Sequence, residues 1–289
     1  MSKRPDKAQA WSDYWRGQKG GCLPAASPAL DAVFREEWRR VADALPHGAR
    51  VLDLATGDGA VLRWLAERRA DLDLTGIDLA EPLPPAPPGC VTRGGIAMEA
   101  LPFEDDNFDA IVSQFGFEYG DLDRSAAEAA RVLRHGGSLT LIAHHADGPI
   151  VDHNRKRAAG LGWALDEARL IDRAHDPEQW AEVGQAPGVA ADRFGEGSAG
   201  WQLADAIRRV VHGSPKRLDA TAREMLDRLE RMTRGELQRI KALEQASTAV
   251  AAEGHLEACL GAHGLRLEQR HPVMLQGLAL AGHWAFRRH

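Results

Sequence analysis

The spacing of apolar positions changes several times along the chain, and each change marks a predicted element. Between residues 28 and 45 apolar side chains recur every three or four positions, which predicts a helix that begins at Ser27-Pro28. Residues 50–54 are a short apolar run typical of a buried strand, and a glycine-containing turn follows before helical spacing resumes. Further strands are predicted at residues 72–77, from about residue 91, at 108–114 and at 138–143, with a helix over 122–133 between the last two.

Strands that alternate with helices indicate crossover connections and therefore a parallel sheet with helices on its faces. After residue 147 long helical patterns take over, and strand patterns return at residues 264–270 and 278–287, which predict two edge strands of the same sheet. The clearest helical pattern spans residues 218–250. Its predicted apolar face consists of Met225, Leu226, Leu229, Met232, Leu237, Ile240 and Leu243. The sequence thus predicts an α/β, Rossmann-like, seven-stranded sheet with a large helical insertion between strands five and six.

Two domains follow from this pattern. Residues 1–148 together with 262–289 are predicted to form a Rossmann-like cofactor-binding domain with an N-terminal helical lid. Residues 149–261 are predicted to form a helical cap, because this segment is far longer than the single helix that the topology requires. We expect the cap to enclose the acceptor site, although its apolar face is equally typical of a core or of a homodimer interface.

Composition excludes several classes of protein. The 289 residues are 44% hydrophobic and 27% charged, which argues against a disordered or membrane-embedded chain. The formal net charge of -6 provides no general basic field for nucleic acid or anionic lipid. The three cysteines, Cys22, Cys90 and Cys259, are too far apart for a CxxC motif, and neither an export signal nor a membrane span is recognised, so a cytoplasmic location is expected.

The first candidate chemistry lies in the turn after strand one. Gly57 and Gly59 stand where backbone amides and a helix N-terminus face an anionic group in α/β sheets. A dinucleotide-binding fingerprint would need a third glycine at position 62, which is Leu62 in this sequence. The Gly-Lys-Ser/Thr motif of a phosphate-binding loop is also absent. Asp78 ends strand two, 25 positions after Asp53, where an acidic side chain can accept both hydroxyls of a ribose. A plain tight turn and a helix cap remain alternatives for these residues.

Five segments occur in an order that carries more information than any one of them. They are residues 51–59, 76–79, 98–103, 107–112 and 131–137. This order closely resembles the class I S-adenosylmethionine-dependent methyltransferases, and it is nearest to the small-molecule branch that includes quinone-biosynthesis enzymes. The resemblance covers about residues 50–145. It implies S-adenosylmethionine as the cofactor and S-adenosylhomocysteine as the product.

The resemblance also implies individual cofactor contacts. The strand-one end and its turn would lie against the methionine portion, Asp78 would bind the ribose, and Gln114 would lie near the methionine end. The implied cofactor-binding residues are Asp53, Ala55, Thr56, Gly57, Gly59, Asp78, Leu79, Ala97, Met98 and Gln114. Two departures from the family pattern are Ala55, where the first motif glycine is usual, and Ala97, where an acidic residue usually binds the adenine amino group. A proline-rich segment, residues 82–88, also replaces the helix that usually follows strand two.

Aromatic residues form one face near the N-terminus. Trp11, Tyr14 and Trp15 are spaced as neighbours on one side of a helix. This face is typical of a staple that packs the segment onto the domain. It could also act as a lid over the cofactor, in which case Trp15 would attract a sulfonium through a cation–π interaction.

Methyl transfer to a hydroxyl needs a group that removes a proton, and the ends of strands four and five offer candidates. Glu118 and Tyr119 follow strand four, and His144 and His145 follow strand five. We hypothesise that His144 or His145 is the base, because imidazole titrates near neutrality, with Tyr119 as a further candidate. Structural or solvent-facing roles remain the alternative for each. No metal-ligand constellation is evident in the sequence.

The sequence therefore predicts an S-adenosylmethionine-dependent methyltransferase that acts on a small molecule or a peptide, at oxygen in our interpretation. No Asn/Asp-Pro-Pro-Tyr follows strand four, which argues against methylation of nucleic-acid amino groups. One alternative is a noncatalytic S-adenosylmethionine-binding protein that docks a partner through the cap. A second, less favoured alternative is an NAD-dependent oxidoreductase. No membrane partner is expected, and a homodimer is possible.

Overall fold

The computed structural model describes residues 11–12, 14–15, 28–214, 216–252 and 254–289. Ser27, the predicted start of the first helix, and Cys22 lie outside this part of the chain. The described residues fall into two compact units. The first, which we call the sheet unit, contains the residues up to Val151 together with Leu243–His289, and the second, the helical unit, is Asp152–Ala242.

A seven-stranded sheet organises the first unit and confirms the predicted α/β fold class. Its strands are β1 (Arg50–Leu54), β2 (Asp73–Ile77), β3 (Cys90–Arg93), β4 (Phe108–Gln114), β5 (Leu133–His144), β6 (Leu265–Leu275) and β7 (Leu278–Arg288). Their order is β3-β2-β1-β4-β5-β7-β6, with the first five strands parallel and β7 antiparallel to both of its neighbours. The two C-terminal strands pair with each other at one end of the sheet, as predicted, but only β6 is an edge strand, since β7 also pairs with β5.

The helices cover the sheet or build the helical unit. They are α1 (Pro28–Ala44), α2 (Ala60–Arg68), α3 (Leu122–Val132), α4 (Pro149–Gly162), α5 (Leu170–Ala174), α6 (Trp180–Phe194), α7 (Ala199–His212), α8 (Ala220–Ala251) and α9 (His255–Ala262). The chain also has two short 3₁₀ turns (Phe117–Tyr119 and Pro177–Gln179) and one π-helical turn (Trp163–Glu167), and residues 11–12 and 14–15 are helical as well. Among the described residues, none of these helices is long and apolar enough to cross a membrane.

Two hydrophobic clusters pack in the sheet unit because side chains alternate between the faces of each strand. Leu52 and Leu54 of β1 contribute to the cluster that also contains α3 and α9, whereas Val51 contributes to the cluster that contains α1 and α2. Phe34 and Trp38, four residues apart on α1, are fully buried in the second cluster. The candidate site residues at the ends of β4 and β5 are thus held by a core on either face.

The helical unit has a core of its own, which includes Leu165, Ile207 and Leu226. Gly160 and Gly200 let α4 and α7 approach closely, because a Cβ built at Gly160 would lie 2.8 Å from the Gly200 nitrogen. The predicted apolar face of α8 is wrong at two positions. Met225 is 51% exposed and Met232 is 60% exposed, since the buried line follows Leu226 instead and Met225 lies one residue, about 100°, around the helix from it.

The C-terminal limit of the helical unit differs from the predicted cap. The unit ends at Ala242, whereas the cap was predicted to continue to residue 261. Val250 of α8 and Leu256 and Leu260 of α9 pack in a core cluster of the sheet unit, which explains the earlier limit. A substrate-binding role for the predicted cap, residues 149–261, stays a prediction.

Candidate functional site

Three alternate residues of the turn between β1 and α2 have a left-handed backbone conformation. Ala55 has φ +58°, Gly57 φ +55° and Gly59 φ +73°. Only glycine adopts this region without strain, so Ala55 stores backbone strain where the other two do not. Gly76 of β2 makes room beneath the turn, because a Cβ at this residue would lie 2.5 Å from Thr56 Oγ1.

Asp53 anchors this turn from within β1. The Thr56 hydroxyl donates to Asp53 Oδ2 over 2.6 Å, and Asp53 is almost completely buried. Burial raises the pKa of the Asp53 carboxyl to about 8, the Thr56 hydrogen bond lowers it in part, and the charge of Asp78 raises it further. Asp53 therefore has the environment of a structural anchor beneath the turn.

Asp78, at the carboxyl end of β2, holds two loops together. The Gly57 amide donates to Asp78 Oδ2 over 2.9 Å, and the Ala80 amide donates to Oδ1 over 2.8 Å. Burial raises the pKa of Asp78 above its usual value, and the backbone hydrogen bonds from Ala80 and Gly57 oppose that rise. The Leu79 amide also hydrogen-bonds this carboxylate, which has about four acceptor sites, so acceptor capacity remains for a ligand.

The predicted adenine side is formed by two adjacent loops. The Ile96 amide donates to the Asp78 carbonyl over 2.9 Å, and the Gly95 amide donates to the Ala80 carbonyl over 3.2 Å. These bonds bring the segment that contains Ala97 next to Asp78. Leu79, Ala97 and Met98 are all half-buried.

Gln114, at the end of β4, is fixed by a residue of α1. The Trp38 indole N–H donates to Gln114 Oε1 over 2.7 Å. The turns after β1 and β4 also touch, because a Cβ at Gly116 would lie 2.4 Å from the Ala55 Cβ. Gln114 and the glycine turn are therefore neighbours, as the parallel pairing of β1 and β4 requires.

The aromatic residues near the N-terminus lie over these loops. A Cβ at Gly57 would be 2.2 Å from Trp15 Cζ2, so the indole packs directly against the glycine turn. Trp11 meets Tyr119 edge-on at a centroid distance of 5.2 Å. Ser12 accepts a hydrogen bond from the Glu81 amide over 3.0 Å, which ties the same segment to the loop after β2.

His144 and Glu118 form a buried pair at the end of β5. His144 Nδ1 lies 2.7 Å from Glu118 Oε1, and the His144 backbone amide donates to the same oxygen over 3.1 Å. Both residues are 4% exposed. The second oxygen, Glu118 Oε2, is buried and has no hydrogen-bond partner among the described residues.

Aromatic rings fix the orientation of the His144 imidazole. Phe115 stacks on it with a centroid distance of 4.2 Å and an interplanar angle of 28°, and Tyr119 meets its edge at 6.0 Å. Phe115 has φ +56°, an outlier for a bulky residue that costs on the order of 1–3 kcal/mol. Strained backbone at this position holds the Phe115 ring against His144.

The structure separates the candidate bases. His144 and Tyr119 lie together, whereas His145 follows the strand end and is exposed. Sequence reasoning considered Glu118 only as a base and missed its role as the partner of His144. The signal that was available is the apolar surroundings of Glu118, which lies between Phe117 and Tyr119 in a segment with no other charge before Asp121.

Comparison with known proteins identifies the central part of this unit. Residues 52–141 match a family described as a methyltransferase domain. Demethylmenaquinone methyltransferase from Thermus thermophilus is 35% identical over 101 residues, which cover 32% of this chain and 46% of the relative. This chain spans about half the length of the first relatives that it matches.

Two further similarities have different extents. Malonyl-[acyl-carrier protein] O-methyltransferase from Dechloromonas aromatica is 27% identical over 223 residues, covering 67% of this chain and 80% of the relative. The crystal structure of an S-adenosylmethionine dependent methyltransferase from Mesorhizobium loti is 25% identical, covers 37% of this chain and 52% of its own, and superposes with a TM-score of 0.32.

Proposed function

Because residues 52–141 are a class I S-adenosylmethionine-dependent methyltransferase domain, we propose that the chain transfers a methyl group to an oxygen atom of a small molecule or a peptide. The observation that carries the choice of oxygen is the buried pair of Glu118 and His144 at the end of β5. An imidazole that a carboxyl group orients is suited to taking a proton from a hydroxyl. The relative described as an O-methyltransferase also supports this choice.

The residues at the ends of β1 and β2 fit S-adenosylmethionine. Asp78 is buried, is fixed by backbone amides that include those of Gly57 and Ala80, and retains acceptor capacity that suits a ribose hydroxyl. The half-buried Leu79, Ala97 and Met98 offer mainly apolar surface for an adenine ring. When bound, S-adenosylmethionine supplies an electrophilic methyl group on a sulfonium.

In this proposal His144 removes the proton of the acceptor. Its Nδ1–H donates to Glu118 Oε1, so the neutral ring carries its lone pair on Nε2. Nε2 would take the proton of the acceptor hydroxyl, and Glu118 would stabilise the imidazolium that forms. The cofactor would supply the methyl group and leave as S-adenosylhomocysteine. Phe115 and Tyr119 keep the ring from rotating, which reduces the entropy lost on reaching the reactive geometry.

The N-terminal aromatic residues are proposed to exclude water from the reaction. Trp15 packs on Gly57, and Trp11 packs on Tyr119, so both indoles lie beside residues assigned to the cofactor or to the base. An indole near a sulfonium would add a cation–π attraction of about 0.5–2 kcal/mol. The proposed lid therefore contributes to cofactor selection as well as to closure.

The helical unit is proposed to select the acceptor. Its separate core, with Leu165, Ile207 and Leu226, makes it a stable element that can vary without disturbing the cofactor loops. A homodimer through exposed apolar positions of α8, such as Met225 and Met232, is a further proposal.

The decisive experiment offers the full-length protein a panel of acceptors with methyl-labelled S-adenosylmethionine. Phenols, quinols and acyl carboxylates test oxygen, and primary amines of matched size test nitrogen. We expect a labelled O-methyl product together with an equal amount of S-adenosylhomocysteine. Labelled product from amines alone would contradict O-methylation, and cofactor binding without turnover on any acceptor would favour the noncatalytic alternative.

A further inference from the structure

A second cluster of titratable side chains lies in the sheet unit, apart from the residues assigned to methyl transfer. Glu37 of α1, His271 of β6 and His283 of β7 each direct one metal-ligating atom to a common point, with these atoms within 4.8 Å of one another. His271 Nε2 and His283 Nδ1 both lie 3.1 Å from Glu37 Oε2. We call these three residues the Glu37 cluster.

The fold explains why these residues meet. His271 and His283 are directly paired in the register of β6 and β7, so their side chains share one face of the sheet. The rings stack with centroids 4.3 Å apart and an interplanar angle of 26°. Helix α1 packs on this face and brings Glu37, a buried residue in line with Phe34 and Trp38, over the two imidazoles.

The two oxygens of the Glu37 carboxylate have different neighbours. Glu37 Oε1 pairs with Arg40 over 3.1 Å, and Oε2 is left to the two imidazoles. Glu37 Oε2 and the two imidazole nitrogens are therefore three potential ligand atoms that lie close together.

We propose that Glu37, His271 and His283 bind a divalent transition-metal cation, with Zn²⁺ as the representative ion. Two imidazoles and one carboxylate are a recurring donor set for zinc and for other first-row metals. The cation would replace the two N–H donors that now share Glu37 Oε2. Each imidazole would then present a lone pair, its proton residing on the other ring nitrogen.

The geometry of the Glu37 cluster also indicates how an ion would enter it and what the bound ion would stabilise. The His271 side chain is 30% exposed, so an ion can reach the cluster, whereas the Glu37 and His283 side chains are at most 10% exposed. A bound cation would join α1 to the β6–β7 pair. Trp38, the next residue on α1, fixes Gln114, so the cation would also stabilise the helix that supports the methyl-transfer site.

The test measures metal binding by the full-length protein, prepared without an affinity tag and freed of metal with a chelator. Zn²⁺ is titrated in competition with a chromophoric chelator, and Co²⁺, Ni²⁺ and Mn²⁺ are tested in parallel, with the visible absorption of Co²⁺ reporting its ligands. Wild-type protein, His271→Asn and Glu37→Gln are compared. The matched control is His263→Asn, because His263 also pairs with a carboxylate, that of Asp123, at the surface.

We expect one equivalent of cation in the wild type and in the His263 variant, with a higher melting temperature when the ion is bound. Affinity should fall by at least about 100-fold in both cluster variants, because even residues outside a coordination sphere are worth about 10- to 100-fold. Folded wild-type protein that binds none of the four cations would overturn the proposal. The proposal would also be overturned if folded His271→Asn bound the cation with wild-type affinity. Circular dichroism establishes that each protein is folded.

Discussion

The carboxyl group of Glu118 is hydrogen-bonded to one imidazole, that of His144. The carboxyl group of Glu37 is hydrogen-bonded to two, those of His271 and His283. The His144 pair ends the parallel part of the sheet beside the glycine turn, and the Glu37 cluster spans its antiparallel edge. Both combine buried carboxyl groups with histidines. The first arrangement holds a single ring, as the proposed proton transfer requires, and the second brings three potential metal ligands together.

The surroundings of the two carboxyl groups differ as well. Glu37 uses both oxygens, one with Arg40 and one with the imidazoles, whereas Glu118 has a buried oxygen without a partner among the described residues. A buried acceptor without a partner costs about 1–3 kcal/mol. Such a cost is typical of a site retained for chemistry, and full pairing is typical of a site that stabilises structure.

Replacing the proposed base gives the largest expected effect and separates the two regions most clearly. His144→Gln should lower the rate of methyl transfer by about 10²- to 10⁴-fold, because it removes the proton acceptor. Cofactor affinity and Zn²⁺ binding should be unchanged. Single-turnover rates across pH check this, with His145→Gln as the matched control, and an unchanged pH–rate profile in His144→Gln would end the role of His144 as base.

Replacing Glu118, the partner of His144, should lower the rate of methyl transfer by a smaller factor. Glu118→Gln keeps an acceptor for His144 Nδ1 but removes the charge that stabilises the imidazolium, so the rate should fall by about 10- to 100-fold. Because Glu118 acts through His144 in this proposal, adding Glu118→Gln to His144→Gln should lower the rate no further than His144→Gln alone. If the two losses add instead, Glu118 does not act through His144.

Asp53 provides a third buried carboxyl group with only a hydroxyl partner, and its pH dependence should have the opposite sign to that of Glu37. Its folded pKa of about 8 exceeds the unfolded value, so the folded state holds a proton that the unfolded state releases above about pH 4. The contribution of Asp53 to stability should therefore fall as pH rises from about 4 to 8. Urea unfolding should show a difference in stability between the wild type and Asp53→Asn that changes over this pH range, because asparagine does not titrate.

Replacing Glu37 should give the smallest effect, a change in the free energy of unfolding of the metal-free protein. Its folded pKa of about 2 lies below the unfolded value, so its contribution is present above about pH 4.5 and is lost as pH falls towards 2. Metal-free Glu37→Gln should be about 1–2 kcal/mol less stable than the wild type at pH 6, with the difference closing in acid. A difference that persists at pH 2 would mean that packing, and not the ionised carboxylate, stabilises the cluster.

The sequence predicted the parallel part of the fold well. The bounds of β1 and β4 agree with their predicted ranges, because short apolar runs between turn residues are a local signal. The position of β7 inside the sheet depends instead on pairing with β5, which no local pattern carries. The exposed Met225 and Met232 were misassigned because a long helix with many apolar residues contains more than one possible face.

The two histidine clusters show the same limit. The sequence made His144 a candidate because it lies at a strand end, but its pairing with Glu118 depends on how the loop after β4 folds back. The Glu37 cluster joins residues 234 and 246 positions apart, so no spacing rule could bring them together. Antiparallel register and helix packing create this site, and both are tertiary features.

Calorimetric titration with S-adenosylmethionine, S-adenosylhomocysteine and NAD tests the central claim most directly. The proteins are the wild type, Asp78→Asn and, as a control from the same turn, Asp58→Asn, whose side chain is paired with Arg63. The account predicts that the wild type and the control bind the first two ligands, and that Asp78→Asn binds them about 10- to 100-fold more weakly because a charge-assisted acceptor for the ribose is lost. Binding of NAD instead, or of no ligand by folded, ligand-free wild-type protein, would contradict it.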